Sequence, residues 1–465
     1  MRPQALACLA AALATASCAA PDLGPKPQIA TIADQRLFAG PVADWPQADW
    51  WRVYADPQLD GLIAEGLAGS PTIAVAEARL RGAEAFAAQA RAAQAPTLDA
   101  EGSVVESKPS YLTGLPVPPA LRGWNDNAAA HLDFNWELDF WRRTRAAVAA
   151  ATSEAAATRA DLAAARLMIS TSIAAAYASL ASLQADRAAL ASSLEVRDQT
   201  LALVRRRVAS GYDSNAELRQ AEAGPPEARA DLRAVDEQIA LARLRLATLI
   251  GEPPDRAASI GPPSLARLQG LGLPPAIPAS LIGRRPDLTA ARWRAEAASE
   301  TIDEARADFY PNVNLIGLIG GQSLGVGNVF RTGADFGEAG AAFDLPIFDG
   351  GRRRARYRGA RADYDAAVAA YDGALNAALE EVADAVTSQR ALDGRLADSR
   401  AALTASTEGW RLAQRRYAAG AADYQSVLVA EDRMLTNRRV VAALETRRFV
   451  LDVALVKALG GGWRS

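Results

Sequence analysis

Cysteine is nearly missing from the 465 residues: Cys8 and Cys18 stand at the extreme N-terminus and none follows. That excludes a disulfide framework and any cysteine-based metal or redox centre in the body of the chain. Histidine occurs once, at His131, which argues against histidine metal clusters and histidine-based triads. No metal and no cofactor is expected. Lysine is confined to Lys26, Lys108 and Lys457, and 51 basic residues face 54 acidic ones, so nothing points to a nucleic-acid partner. Aromatic residues are only 6% of the chain, while alanine supplies much of its apolar half. Helices packed closely through small side chains suit that composition better than a bulky core. Between Arg142 and Ser210 there is neither proline nor glycine. A helix of that length runs about 100 Å at 1.5 Å per residue, far outside the globular norm.

What is present begins with a leader. Arg2 precedes an apolar stretch from Ala5 to Ala16 that is too short to span a bilayer, then small residues and Cys18. The pattern resembles a lipoprotein signal, with residues 1–17 removed and Cys18 acylated. Thr15 stands where such signals usually carry leucine. Ala19, rather than an acidic residue, follows the cysteine and suits sorting to the outer membrane.

The rest is written twice. "SPTIAVAEARLRGAEA" from Ser70 matches "RPDLTAARWRAEAASE" from Arg285, and "WELDFWRRTRAA" from Trp136 matches "FDLPIFDGGRRRAR" from Phe343. "RRRVASGYDSNAELRQAEA" from Arg205 matches "QRRYAAGAADYQSVLVAED" from Gln414. The chain is therefore a tandem duplication of roughly two hundred residues per copy. An N-terminal extended segment covers 18–55, the first repeat 56–250, a Pro/Gly-rich linker 251–278, the second repeat 279–460 and a tail 461–465. Each copy reads helix, strand, loop, strand, long helix, turn, helix. Strands are expected near 97–107 and 129–140, then near 311–321 and 337–348. Helical hairpins are expected over 142–250 and 351–459, turning at Gly211 and Gly420. Pro225 and Pro226 inside the first returning helix predict a kink or break there.

Along the long helices, larger apolar residues recur at three- and four-residue spacing, as in coiled-coil seams: Ile169, Ile173, Leu180 and Leu183, then Val368, Tyr371, Leu375 and Val382. Leu167–Leu183 carries no charge, which raises a transmembrane reading. Five of its residues are Ser or Thr, and the seam continues through charged sequence on both sides.

The segment "HLDFNWELDF" alternates strictly. His131, Asp133, Asn135, Glu137 and Asp139 fall on one side, and Leu132, Phe134, Trp136, Leu138 and Phe140 on the other. Two strands per copy cannot close a barrel, and an open edge is not tolerated in lipid, so such a sheet must assemble with copies of itself. The oily face then meets lipid, and Asp133, Glu137 and Asp139 line a wet lumen. Physics alone allows eight, twelve or sixteen strands from two, three or four subunits.

Several motifs resemble the TolC-type outer-membrane efflux channels, in their NodT-like lipoprotein branch. They are "WWRVYADPQLDGLI" at 50–63, "LIGRRPDLTAAR" at 281–292, "ADFYPNVNLIGLIG" at 307–320, "DLPIFDGGRRRA" at 344–355, "EEVADAV" at 380–386 and "KALGGGW" at 457–463. The resemblance implies a mixed fold of α-helix and transmembrane β-strand, with a small equatorial region. A homotrimer would share a twelve-stranded β-barrel and a twelve-helix periplasmic α-barrel. It also implies a passive duct, lipid-anchored in the outer membrane, that meets a periplasmic adaptor and an inner-membrane pump of the RND class. The family's closed end lies at the hairpin tips. Tyr417 matches a tyrosine that braces the closed state, but Val429 stands where close relatives place the gate aspartate. Asp423, Asp432, Asp213 and Glu217 are the nearby candidates. Gly211, Tyr212, Gly420 and Ala421 mark the adaptor-docking tips. Small-molecule cargo is favoured over a secreted polypeptide (type I export) or metal ions. Two rivals come from other classes: a pore-free coiled-coil envelope lipoprotein leaves the paired strands unexplained, and an envelope hydrolase needs a nucleophile and base, whereas the one histidine falls on a lumen-facing strand position. Arg284, Arg285 and Asp287 resemble a catalytic cluster, but Pro286–Asp287 reads better as a helix start.

Overall fold

The computed structural model describes residues 20–30, 47–112, 116–264 and 282–463. The leader, Cys18, residues 31–46, the linker from 265 to 278 and the last two residues lie outside this set.

Two compact units emerge. Among the described residues, one draws on 20–29, 80–158 and 291–371, the other on 47–79, 159–264, 282–290 and 372–463. Helices α1 (Pro57–Gly69) and α2 (Pro71–Ala92) precede strands β1 (Thr97–Ser107) and β2 (Asn125–Glu137). Then come α3 (Arg143–Ala209) and α4 (Asn215–Leu249). The second copy repeats the order with α5 (Pro286–Ala307), β3 (Asn312–Leu324), β4 (Asp335–Asp344), α6 (Arg352–Ala418) and α7 (Tyr424–Ala458). Helices α3 and α6 are each 67 residues long, α4 and α7 are each 35, and α2 and α5 are each 22. Equal lengths from diverged sequence make the duplication a structural fact.

In the first unit the strands form one antiparallel sheet in the order β1-β2-β3-β4. The register aligns Leu98 with Phe134 and Gly317, Ala100 with Leu132 and Ile319, and Val313 with Phe343. Opposed residues share a face, so this one is apolar, and Leu98, Leu132, Ile319 and Phe343 are exposed on it. The other face carries Asp99, Glu101, Asp133, Glu137, Glu338 and Asp344, with no lysine or arginine on its strand positions.

Strand β2 starts before the expected 129 and ends before 140. Asp139 therefore does not lie on a strand, which corrects its assignment to a lumen-facing strand position. The chain leaves the sheet through Arg142, whose φ of +64° is left-handed. Asp139 then accepts the Arg145 N–H and its Nε, both at 3.0 Å, at the start of α3. Trp141 stacks on Tyr310 at 4.6 Å and donates to the Pro311 carbonyl. Asp349 repeats the arrangement before α6, accepting Gly351 and Arg353 N–H groups.

The second unit holds the main core. Ile173, Tyr177 and Leu180 of α3 meet Leu59, Leu62 and Ile63 of α1, Leu246 of α4, and Phe449 and Val453 of α7. Small residues set the spacing, as the alanine-rich composition predicts. At Gly251, with φ +81°, a Cβ would sit 2.4 Å from the Gly69 carbonyl oxygen. Among the described residues one helix, α3, could cross a membrane by length and composition, yet 56% of its most apolar window is buried against the chain itself.

Of the kink or break expected in α4, the break is not there. The helix runs unbroken through Pro225 and Pro226. Ala221, Pro225 and Ala228 are buried on its packed side, and Arg197 of α3 donates to the Gly224 carbonyl at 3.1 Å. Tertiary contacts hold the flanks while the two missing N–H donors are given up.

Candidate functional site

The hairpin tips are built by matching turns. Gly211 and Gly420 take φ of +75° and +73°. Tyr212 N–H bonds to the Arg207 carbonyl at 2.9 Å, and Ala421 N–H to the Arg416 carbonyl at 2.8 Å. These are glycine-dependent helix ends that reverse the chain. Helix α4 then starts at Ser214, which forms a capping box with Glu217, and α7 starts at Asp423, which accepts the Ser426 N–H at 2.9 Å. Glu217 and Asp423 are thus both engaged as helix caps. Ser214 and Asp423 are equivalent positions in the two copies.

One network joins the two tips. Arg207 donates through Nε and Nη2 to Asp213, at 2.9 and 3.1 Å, and through Nη1 to the Tyr417 carbonyl at 2.7 Å. The Tyr417 hydroxyl donates to the same Asp213 carboxylate. The guanidinium lies 4.4 Å from the centre of the Tyr417 ring, and Tyr417 in turn packs on Tyr424. Tyr417 is fully buried. The hydrogen bond from Arg207 holds the Asp213 carboxyl below its ordinary range, while burial and the Asp213 charge push the Tyr417 hydroxyl up. So the structure brings together two of the residues singled out in sequence, Asp213 and Tyr417, through Arg207, which was not. The copies carry a signal for this. Asp213 corresponds to Ala422 and Tyr417 to Val208, so each copy keeps a different half of the link.

Asp432 lies 3.8 Å from the Arg197 guanidinium, and its neighbour Glu431 was overlooked. Glu431 is buried between α7 and α3, accepts from Thr200 at 3.2 Å, and sits 3.8 Å from Arg197 Nε. Burial pushes its carboxyl up to about 7, against the pull of Thr200 and Arg197. Between the unfolded value near 4.5 and pH 7, the folded protein thus holds a proton that the unfolded chain releases. That stabilisation is present at low pH and is lost as pH rises through this window. Glu431→Gln is therefore expected to melt close to wild type at pH 5 and above it at pH 8. A melting difference that is the same at both pH values would refute this.

On the polar face of the sheet, Asp133 and Glu137 occupy strand positions. Glu137 is tied to Arg143, with Nε donating at 2.9 Å. Asp133 lies 2.9 Å from His131 Nε2, and Glu101 of β1 approaches the same nitrogen at 3.4 Å. The solitary histidine argued in sequence against a metal cluster; here Asp133 of its own strand and Glu101 of the neighbouring strand give it two carboxylates.

A separate knot explains three of the sequence motifs. Buried Arg285 reaches Asp287 at 2.8 Å, Glu381 at 2.7 Å and the Ala458 carbonyl at 3.1 Å. Helix α5 does start at Pro286, with Asp287 in its first turn. The cluster that resembles a catalytic site is a structural tie between "RRPD", "EEVADAV" and "KALGGG".

A duplicated chain with a four-stranded sheet, one face dry and one acidic, and two long hairpins has the fold of a channel that crosses the outer membrane. Residues 62–252 and 277–461 match the outer membrane efflux protein family, and the chain belongs to it. It is 30% identical over 454 residues to the multidrug resistance outer membrane protein MdtP of Shigella flexneri, covering 95% of this chain and 91% of that one. It is 38% identical over 373 residues to the fusaric acid resistance protein FusA of Burkholderia cepacia, covering 77% and 69%. The crystal structure of the outer membrane protein VceC from Vibrio cholerae superposes with a TM-score of 0.85 at 43% identity, over 90% of this chain and all of that one. The protein is an outer-membrane channel of the efflux type, and the tandem protomer expected from sequence is the one found.

Proposed function

We propose that three copies form a passive exit duct. It takes small molecules from a periplasmic adaptor, fed by an inner-membrane pump of the RND class, and releases them outside. The observation that carries this reading is the sheet: among the described residues β1 and β4 each keep an edge unpaired, and the two faces are suited to lipid and to water. Closure with sibling subunits leaves Asp133 and Glu137 on the lumen wall. The network of Arg207, Asp213 and Tyr417 then ties the two hairpin tips together as the resting gate, with Asp423, Asp432 and Glu217 nearby. The exposed turn residues Gly211, Tyr212, Gly420 and Ala421 are offered to the adaptor. Acyl chains on Cys18 add membrane anchorage. Small-molecule cargo is supported by relatives named for multidrug and fusaric acid resistance.

Planar-bilayer recording on the purified full-length protein tests the duct. Small, discrete, cation-selective steps are expected, because the strand positions of the wet face hold six carboxylates and no lysine or arginine. A trimer that passes no current even when the tip network is removed would overturn the reading.

A further inference from the structure

The register places Glu101, His131, Gly320 and Phe336 in one row across all four strands. Gly320 is required there. A Cβ on it would come within 2.4 Å of the His131 Cβ and of the Ala130 carbonyl oxygen, so glycine is what lets β3 pass this close to β2 at His131. Phe336 meets the ring at 6.2 Å from the far strand. Nδ1 is buried with no hydrogen-bond partner, which leaves Nε2 as the working nitrogen, aimed at the two carboxylates. The three donor atoms, one nitrogen and two oxygens, all lie within 4.8 Å of one another.

An ion pair explains this only in part. One imidazolium supplies one charge, yet Glu101, Asp133 and their neighbour Asp99 all share its side of the face, where the strands offer no lysine or arginine. A dication in place of the proton neutralises more. The separations of 2.9 and 3.4 Å from Nε2 to the carboxylate oxygens also suit it. Donors at about 2.0–2.2 Å from a tetrahedral ion stand roughly 3.3 Å apart. Imidazole favours zinc, copper or nickel over calcium and magnesium, and three protein donors leave a position for water or a passing ligand.

We propose that Glu101, His131 and Asp133 form a binding site for a borderline transition dication of the zinc type, one per subunit. Binding is independent of the duct reading; only its effect on current rests on that reading, which makes the ion a partial block of the lumen.

The test uses the full-length, detergent-solubilised protein without a histidine tag. Calorimetry with Zn²⁺ is expected to give one site per chain. His131→Ala should weaken binding at least tenfold, and the pair Glu101→Gln and Asp133→Asn similarly, while Asp99→Asn, outside the three ligands, should change it little. Because the chain has one histidine, Cu²⁺ loaded into the site should show nitrogen hyperfine structure from one imidazole in its EPR spectrum, absent in His131→Ala. No saturable binding, or binding and spectra that survive His131→Ala, would overturn the proposal. In bilayers Zn²⁺ should lower wild-type current and spare His131→Ala. Binding without any effect on current would uphold the site and remove it from the conduction path.

Discussion

Asp213→Ala is expected to raise the single-channel conductance several-fold over wild type. That one carboxylate takes both guanidinium bonds of Arg207 and the hydroxyl of Tyr417, so its loss releases both halves of the tie between the hairpins. Charge-assisted hydrogen bonds are about twice as strong as neutral ones, and a buried group left without its partner adds a desolvation cost. Tyr417→Phe keeps the ring under the guanidinium and removes only the hydroxyl, so a smaller rise should follow. The double variant should add little to Asp213→Ala, because both changes cut the same link. Arg207 holds the Asp213 carboxyl below its ordinary range, so moderate acid should not open the wild-type pore. That stabilisation is present above the unfolded carboxyl value and is lost only as pH falls through the depressed folded one. Unchanged conductance in Asp213→Ala would remove this network from the gate.

Arg285→Ala is expected to destabilise the fold by about 2 kcal/mol, the scale of losing a buried group's hydrogen bonds to charged partners, since Asp287 and Glu381 are themselves partly exposed. Its guanidinium is shielded from water and connects the start of α5 to α6 and to the end of α7. Gly460 packs so close that a Cβ there would lie 3.0 Å from the Arg285 Cα, so little room exists for rearrangement. Lysine in this position should recover only part of the loss, since an ammonium cannot serve Asp287 and Glu381 through a planar fork. Thermal melting of the purified protein reads the effect. A midpoint within about a degree of wild type would mean that the tie is not a structural one.

The elements that follow a period were legible without coordinates. Strict alternation marked one strand and the duplication placed the others, three- and four-residue spacing marked the long helices, and glycine marked the turns at Gly211 and Gly420. What escaped depends on contacts distant in sequence. Nothing near His131 announces Glu101, because their meeting is a matter of β1–β2 register. Arg207 looked like one more basic residue in "RRR" until the second copy supplied Tyr417. Asp139 continued the alternation perfectly, yet β2 had already ended at Glu137, and the left-handed Arg142 completes the turn toward α3. Pro225 and Pro226 broke a local rule that buried flanks and Arg197 could overrule.

The two bare strand edges have a consequence for the life of the chain before it reaches its place of work. A single newly exported copy displays unpaired backbone along β1 and β4 beside an oily sheet face, the features that invite mispairing. Until siblings arrive, such a copy is expected to need chaperone protection and to be open to proteolysis. Its abundance is then decided by a race. Assembly needs encounters between copies and quickens with supply, whereas degradation takes copies one at a time, so modest changes in expression should be amplified in the number of finished channels.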